Sequence, residues 1–339
     1  MNSTNTSNVF SHRKNLIKAV SFCLILIILL KLLSSLALIA KRDPEPIFNC
    51  DPRIIFQEPE NTIDVITIGN SNVRSGIIPM QLWKDYGITS YTWGEPSVDP
   101  YDSEQYLKKI FRKQSPSVVI LEASFFFRTT SFADNLNSMT RAKLSDMFPL
   151  IPYHSSLLKL FKYGFSELYN ANHSVTKGYY VNFQAKPGKK GSSYMNETSS
   201  SDDMISFLTQ KEILRIEQLC KDHGAKLIIA AVPSTSDWGY ERHQLTKKFC
   251  EDNQLTFLDM NTTDVLKEMN LNWKKDTRDG GTHMNYTGAS LVTDYLGKHL
   301  TEHYQLTDFR QDRNYEQWNT DCEYFYDTIK QLRNEHTAS

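Results

Sequence analysis

The sequence has 339 residues, with 38 lysines and arginines against 39 aspartates and glutamates, and a formal net charge of −1. A charge this balanced gives no basic field for nucleic acid, and we expect no nucleic-acid partner. Apolar residues make up 40% and aromatic residues 12%, which suits a packed core and excludes a disordered chain. The length allows one large domain or two small ones.

The N-terminal region contains a long apolar segment, residues 19–40 (AVSFCLILIILLKLLSSLALIA). As a helix it would be about 33 Å long, close to the roughly 30 Å hydrocarbon core of a bilayer. A cleaved signal peptide would have a shorter apolar core and a small-x-small cleavage site. This segment instead ends Ala37-Leu38-Ile39-Ala40. We therefore expect an uncleaved transmembrane helix that follows a cytoplasmic tail at 1–18.

Basic residues flank the apolar segment unequally. Three precede it and two follow it, namely Arg13, Lys14 and Lys18, then Lys41 and Arg42. Because the cytoplasmic side of a span carries more Lys and Arg, this bias predicts a single-pass protein of the cell membrane with its main domain outside the cytoplasm.

One charged residue, Lys31, lies inside the apolar segment. A charge near the middle of a span costs about 2.5–3.5 kcal/mol on insertion scales. Lys31 either extends its ammonium group toward the interface or contacts a polar partner helix of another membrane protein.

After a predicted linker at 41–60, short β-branched runs alternate with helical patterns. The runs predict strands at 64–68, 88–93, 117–122, 226–232 and 255–259, and the patterns predict helices at 102–113, 203–222 and 287–300. Near-continuous apolar strands that alternate with helices are typical of an α/β fold with a parallel five-stranded sheet covered on both faces.

The boundaries of the main domain follow from these elements. We expect it to cover 61–305, with an insertion at 124–202 and a C-terminal helical extension at 306–339. The insertion ends in a polar, Gly/Ser-rich stretch with Lys186, Lys189 and Lys190, which either contact an anionic polymer or lie in solvent.

Four cysteines lie outside the apolar segment, and none forms a CxxC pair; they are Cys50, Cys220, Cys250 and Cys322. A zinc or redox site of that type is therefore not expected, and no cofactor is predicted. We interpret them as buried thiols, although one or two disulfides could form in an oxidising compartment.

The first chemical motif is Ile68-Gly69-Asn70-Ser71-Asn72, directly after the first predicted strand. A serine on a tight turn at the C-terminal end of a strand faces the crevice where parallel sheets place their sites. A backbone N–H beside it can stabilise a developing oxyanion. The motif makes Ser71 a candidate nucleophile.

The second motif, DTRDGGTHMN from Asp276 to Asn285, precedes the last predicted helix. Serine needs a base to take its proton, and a histidine oriented by a carboxylate is the usual base. A loop with Asp279 and His283 supplies both groups.

Together, these motifs resemble the SGNH (GDSL-like) hydrolase superfamily, where the serine follows strand one and Asp and His lie close together before the last helix. The resemblance covers about 60–339 and implies a flavodoxin-like, three-layer α/β/α fold. It looks closest to a membrane-anchored bacterial branch with the D-alanyl transfer proteins of teichoic acid operons and proteins of polysaccharide O-acetylation. The phrases that carry this similarity are PMQLW with Tyr86-Gly87, SPSVVILE at 115–122, Val232-Pro233-Ser234 with Trp238, THMNYTGA at 282–289, and LTDFR at 306–310 with Trp318-Asn319.

The sequence departs from the superfamily pattern around both motifs. Asn70 stands in place of the usual Asp before the nucleophile. Members often carry Asp three residues before the catalytic His, where this chain has Gly280. We predict Asp279 as the partner of His283 and keep Asp276 as the alternative.

The resemblance also implies an oxyanion hole. Its predicted donors are the N–H groups of Ser71 and Gly94, with Asn72. The asparagine of the superfamily's third block is not evident, and Glu122 and Ser124 stand near its place. A carboxylate could not stabilise an oxyanion unless it were protonated.

These expectations define two functions. The first is a serine acyltransferase or esterase that acts on acyl groups, acetyl or similar, of a cell-envelope or extracellular glycan through an acyl-Ser71 intermediate. Its partners would be an acylated glycan or teichoic-acid-like polymer and a membrane-bound O-acyltransferase as acyl donor. The alternative is a non-catalytic assembly or binding subunit of an envelope polysaccharide modification complex that keeps the SGNH-like fold.

Overall fold

The computed structural model describes residues 4–96, 98–128, 131–188, 191, 193–196 and 203–338. Lys189 and Lys190 of the predicted lysine cluster lie outside these residues. The chain divides into two compact units, one of residues 1–42 with 143–170, the other of residues 43–142 with 171–339.

The larger unit contains five strands and most of the helices. The strands are β1 Val65–Gly69, β2 Ser90–Gly94, β3 Val118–Glu122, β4 Lys226–Ala231 and β5 Thr256–Asp259. In chain order the helices of the protein are α1 Thr4–Ala40, α2 Ser71–Gly76, α3 Pro79–Tyr86, α4 Pro100–Ile110, α5 Phe132–Met147, α6 Leu150–Tyr153, α7 Lys159–Tyr163, α8 Phe165–Asn170, α9 Phe207–Asp222, α10 Tyr240–Asp252, α11 Thr263–Glu268, α12 Tyr286–His303 and α13 Glu316–Ala338. Short 3-10 helices are Pro52–Gln57, Ser124–Phe127, His154–Leu158, Ser193–Met195 and Arg313–Tyr315.

The sheet is parallel throughout, with the strand order β2-β1-β3-β4-β5. Every residue of β1, β2 and β3 is buried. Because successive side chains of a strand point to opposite faces, both faces of the sheet are covered. The predicted α/β fold with a five-stranded parallel sheet is confirmed, and this strand order is the flavodoxin-like one.

The five predicted strands match the observed ones, although all except β4 begin one or two residues later than predicted. β1 begins at Val65 rather than Asp64, since the paired register with β2 starts at Val65 and Ser90. Asp64 precedes this ladder, and its N–H donates to Thr89 O at 3.1 Å. Such shifts at element ends are expected, since apolar patterns mark the core of a strand better than its ends.

The region predicted as a linker packs onto the larger unit. Asn49, Asp51 and Ile55 are buried, and Asn49 Nδ2 donates to the carbonyl of His173 at 2.8 Å. Asp51 caps the 3-10 helix that follows, because its carboxylate accepts the N–H of Arg53. Residues 43–60 therefore form part of the folded unit.

A buried ion cluster fixes the C-terminal helix. Lys177 Nζ lies 2.7 Å from Glu58 Oε1 and 2.9 Å from Asp321 Oδ2, and its side chain is 1% exposed. His173 Nε2 also contacts Asp321, at 2.8 Å. Since buried charges are tolerated only when paired, this cluster joins the insertion, the segment before β1 and α13.

The smaller unit consists of α1 and short helices between 143 and 170. Within the described residues, α1 is the one helix long and apolar enough to cross a membrane, over Arg13–Ala40. Lys31 Nζ donates to the carbonyl of Met147 at 2.5 Å and lies 5.1 Å from the ring centroid of Phe148. The polar contact expected for Lys31 is thus made within the chain itself.

The five cysteines are free thiols in the structure, and Cys220, Cys250 and Cys322 are buried. Burial raises the pKa of Cys220 and Cys250 to about 12. These thiols are therefore inert core residues.

Candidate active site

Ser71 lies at the C-terminal edge of the sheet, as the first residue of α2. The preceding Asn70 caps this helix, because its side chain accepts the N–H of Asn72 at 2.8 Å. Gly69 makes the turn possible, since a Cβ there would come within 2.4 Å of Glu122 Cβ. The β1–α2 turn therefore sets the serine at the edge where parallel sheets form their sites.

His283 reaches Ser71 through a tight loop before α12. Arg278 N–H donates to the carbonyl of His283 at 3.1 Å, which closes the loop. Gly280 and Gly281 have φ values of 92° and 107°, a region that favours glycine. The glycine at position 280, three residues before the histidine, is thus a turn residue, and the carboxylate comes from the residue before it.

The structure brings Ser71, His283 and Asp279 together in one hydrogen-bonded chain. His283 Nε2 lies 2.8 Å from Ser71 Oγ, and His283 Nδ1 lies 2.5 Å from Asp279 Oδ2. The backbone N–H of His283 also donates to Asp279 Oδ1 at 2.9 Å. Both carboxylate oxygens are therefore used to orient the imidazole.

The same contacts lower the pKa of Asp279. Burial alone would raise its pKa, but the hydrogen bonds from the His283 side chain and backbone, with the charges of His283 and Arg278, lower it below its ordinary value. Arg278 Nε lies 3.6 Å from Asp279 Oδ2. Asp279 is consequently held as a carboxylate, the form that can accept the Nδ1 proton of His283.

Asp276, the alternative partner, lies elsewhere. It is fully buried, and its Oδ2 accepts the backbone N–H of Asn272 at 2.7 Å. Its role in the structure is to hold the start of the loop.

The three predicted oxyanion donors differ in their surroundings. Ser71 N–H belongs to the first turn of α2, where helical N–H groups have no partner within the helix. Gly94 lies against α2, and a Cβ there would come within 2.7 Å of Arg74 N. Asn72 has both donors engaged, the backbone N–H by Asn70 and the side-chain amide by Ser124 and Asp237, at 3.3 and 3.1 Å.

A buried polar network joins the two residues that flank Ser71, Asn70 and Asn72, to the end of β3. Ser124 Oγ accepts from the side-chain amides of Asn70 and Asn72 and donates to Glu122 Oε2 at 2.7 Å. Glu122 is completely buried. Burial raises its pKa from 4.5 to about 7, against the hydrogen bonds from Ser124, which lower it.

Two arginines, Arg74 and Arg278, line the cleft of about 510 Å³ that opens beside Ser71. Arg278 belongs to the second motif, but neither arginine was predicted as a site residue. The guanidinium carbons of Arg74 and Arg278 lie 4.9 and 5.0 Å from the ring centroid of Tyr180. Arg74 Nη2 also donates to Cys50 Sγ at 2.8 Å. Among the described residues Arg74 contacts no carboxylate, so the cleft carries positive charge close to the nucleophile. No pattern marks Tyr180, because it lies in a part of the insertion, 171–188, that forms no helix or strand.

Other histidines also contact carboxylates, but without a serine. His243 Nδ1 lies 2.6 Å from Asp259, which also accepts the indole N–H of Trp238, and His173 contacts Asp321. Within the described ranges, His283 alone combines a carboxylate on one ring nitrogen with a serine hydroxyl on the other. That combination is the arrangement of a nucleophile, a base and its orienting group.

Comparison with known proteins gives distant structural similarities. No family model and no curated protein matches the sequence. Among solved structures, the chain is similar to a protein described as an acylhydrolase from Bacteroides fragilis, with 13% identity over 74% of this chain and 94% of that one and a TM-score of 0.37. It is also similar to a GDSL-like lipase from Bacteroides thetaiotaomicron, with 12% identity over 70% and 88% of the two chains and a TM-score of 0.33. A lipase/acylhydrolase from Enterococcus faecalis has 10% identity over 72% and 99% and a TM-score of 0.36.

Proposed function

We propose that this protein is a membrane-anchored SGNH-type serine esterase or acyltransferase that works through an acyl-Ser71 intermediate. The observation that carries the proposal is the continuous chain of contacts from Ser71 Oγ through His283 to Asp279. A non-catalytic subunit would have no need to hold a serine, a histidine and a carboxylate in this order.

The chemistry follows from the geometry. Ser71 Oγ attacks the acyl carbonyl carbon while His283 Nε2 takes its proton, and Asp279 stabilises the imidazolium. The tetrahedral intermediate collapses, the ester bond breaks, and the departing alkoxide takes the proton from His283. Water or a sugar hydroxyl then attacks the acyl-Ser71 carbonyl and gives its proton to His283. Collapse of the second intermediate returns the proton to Ser71.

We place the reaction at the cell membrane, with the catalytic unit outside the cytoplasm and a glycan as substrate or acceptor. Support comes from the length and composition of α1, from the bias of basic residues around it, and from the similarity of the sequence phrases to the polysaccharide-modifying branch. In the transfer reaction a membrane-bound O-acyltransferase would load the acyl group, and a glycan hydroxyl would receive it.

The cleft favours a substrate that carries negative charge. Arg74 and Arg278 lie beside Ser71. Arg278 has Asp279 3.6 Å away, whereas Arg74 contacts no carboxylate among the described residues. An arginine without a carboxylate partner near a nucleophile is suited to a phosphate or carboxylate of the substrate. A teichoic-acid-like or acidic glycan meets this requirement.

The proposal is tested with full-length protein in detergent. Release of acetate from acetylated glycans and of p-nitrophenol from acyl esters is measured for wild type and for Ser71→Ala, His283→Ala and Asp279→Asn. Ser117→Ala and His303→Ala are the matched controls, because both residues are exposed and lie away from the site.

We expect the Ser71 and His283 variants to fall to background and the controls to remain active. Labelling of Ser71 by a fluorophosphonate, located by mass spectrometry, tests the nucleophile without a known substrate. An active Ser71→Ala variant, or a wild type that reacts with the probe at another residue only, would refute the assignment.

A further inference from the structure

The short helices between 148 and 170 expose a large apolar surface. Leu158 is 70% exposed and Phe161 is 90% exposed. Three further apolar side chains in this stretch, Ile151, Phe165 and Tyr169, are more than half exposed. Apolar surface concentrated in this way marks contact with a membrane or with another protein.

The same stretch packs against the C-terminal end of α1. Ser34, Ala37 and Ala40 form a buried stripe of small residues on that helix, and small residues let helices approach closely. Leu150 N–H donates to Ser34 Oγ at 3.2 Å. Farther toward the N-terminus, the side chains of residues 13–29 of α1 are exposed, as expected for a helix surrounded by lipid.

These contacts fix the depth of the stretch along α1. Ser34 and Lys31 precede Ala40 by six and nine residues, so they lie about 9 and 13 Å from the end of the helix. Met147 and Leu150 lie at these two levels, because Met147 accepts from Lys31 and Leu150 donates to Ser34. One leaflet of hydrocarbon is about 15 Å thick, so both levels fall within it.

The polar groups of the stretch are arranged for this environment. Helical backbone satisfies its own hydrogen bonds, as a bilayer requires. Lys31 Nζ donates to the carbonyl of Met147 and lies over the ring of Phe148, so its ammonium group has partners within this stretch. Nearer the end of α1, Arg42 donates to Tyr169 O at 2.8 Å, and charged and aromatic groups of this kind suit the interface.

We propose that residues 147–165 insert into the leaflet at the C-terminal end of α1, as a wedge whose Ile151, Leu158 and Phe161 contact lipid acyl chains. The inference rests on the proposed anchoring by α1. The wedge gives the anchor a second attachment to the membrane, and it gives the ammonium group of Lys31 a hydrogen-bond acceptor and an aromatic face within the chain.

The test uses full-length protein in vesicles of phosphatidylcholine and phosphatidylglycerol. A polarity-sensitive fluorophore is attached to Leu158→Cys, in a chain with Cys23→Ser and Cys50→Ser, since the remaining cysteines are buried. Lipids with a nitroxide on the upper acyl chain then quench it by contact. The label at Leu26→Cys in α1 reports the anchor, and the label at the exposed Lys248→Cys reports the aqueous control.

We expect quenching at position 158 to be close to that at position 26 and at least about twofold above that at position 248, because an interfacial apolar face lies about 5–10 Å deep. We expect the same quenching for a label at Phe161→Cys. This second position shows that the result does not depend on the substitution at Leu158 alone. Quenching at 158 and 161 equal to that at 248, with strong quenching at 26, would overturn the wedge and assign the surface to a protein partner. Absence of quenching at 26 would instead refute the anchor.

Discussion

Replacing Glu122 with glutamine should stabilise the protein at alkaline pH and change little at acid pH. In the folded protein burial raises the pKa of Glu122 to about 7, against an ordinary value of 4.5. The folded state therefore keeps a proton that the unfolded chain releases, and the stability of the wild type falls as the pH rises between these two values. Since one pKa unit corresponds to about 1.4 kcal/mol, the loss is roughly 3 kcal/mol above pH 7.

Glutamine keeps the shape and the acceptor oxygen for Ser124 but has no charge to bury. We expect the stability of Glu122→Gln, measured relative to wild type by guanidinium unfolding with tryptophan fluorescence, to rise by about 3 kcal/mol between pH 4 and pH 8.5. Glu251→Gln, an exposed control, should show no such dependence on pH. A difference from wild type that is the same at both pH values would refute the argument that burial raises the pKa of Glu122 in the folded protein.

Three further predictions concern the site and the ion cluster. Asp279→Asn should lower kcat about 10²–10³-fold without unfolding, less than for a fully buried triad carboxylate because this one is 38% exposed; an unchanged kcat would remove Asp279 from the mechanism. Arg74→Gln should raise KM for anionic esters at least about fivefold and leave neutral esters unaffected, with Arg112→Gln as the exposed control; equal effects on both esters would contradict an anion subsite. Lys177→Met should cost about 3–5 kcal/mol in unfolding experiments because it leaves two buried carboxylates without their lysine; a loss below about 1 kcal/mol would show that the cluster is not a net stabiliser.

The sheet was predictable because its strands carry their own signal. β1 and β3 are short runs of β-branched residues bounded by turn residues, and such runs mark fully buried strands without information from the rest of the chain. The position of Ser71 at the edge of the sheet was predictable for the same reason, since Ser71 follows one of these strands directly. His283 was found through its loop of aspartates and glycines.

The sequence favoured Asp279 as the carboxylate partner of His283, but it could not exclude Asp276. Asp276 and Asp279 lie three residues apart in one loop, but their carboxylates face different partners. The loop turns at Gly280 and Gly281, which adopt positive φ. Those angles return the chain so that Asp279 meets His283, while Asp276 faces the backbone of Asn272. Glycine permits many conformations, so its presence alone does not fix the path of a loop.

The cleft arginines and the buried lysine were beyond sequence reasoning. Arg74 lies on α2 close to Ser71, but Tyr180 and Lys177 come from a stretch of the insertion, 171–188, that forms no helix or strand. Irregular segments have no period from which a contact could be deduced. Their pairing depends on tertiary packing that only the folded chain reveals.

The hydrogen-bond donors around Ser71 bear on the kind of substrate that the proposed site would process well. Asn72 has its donors engaged, and Glu122 and Ser124 are bound to each other, so the hole rests on backbone N–H groups such as that of Ser71. Loss of one side-chain donor typically costs about 10²–10³ in rate. An activated acyl donor, such as a thioester or an acyl-enzyme, needs less stabilisation of the oxyanion than a sugar ester does. Under the proposed function, we therefore expect an activated donor to acylate Ser71 faster than an unactivated sugar ester does.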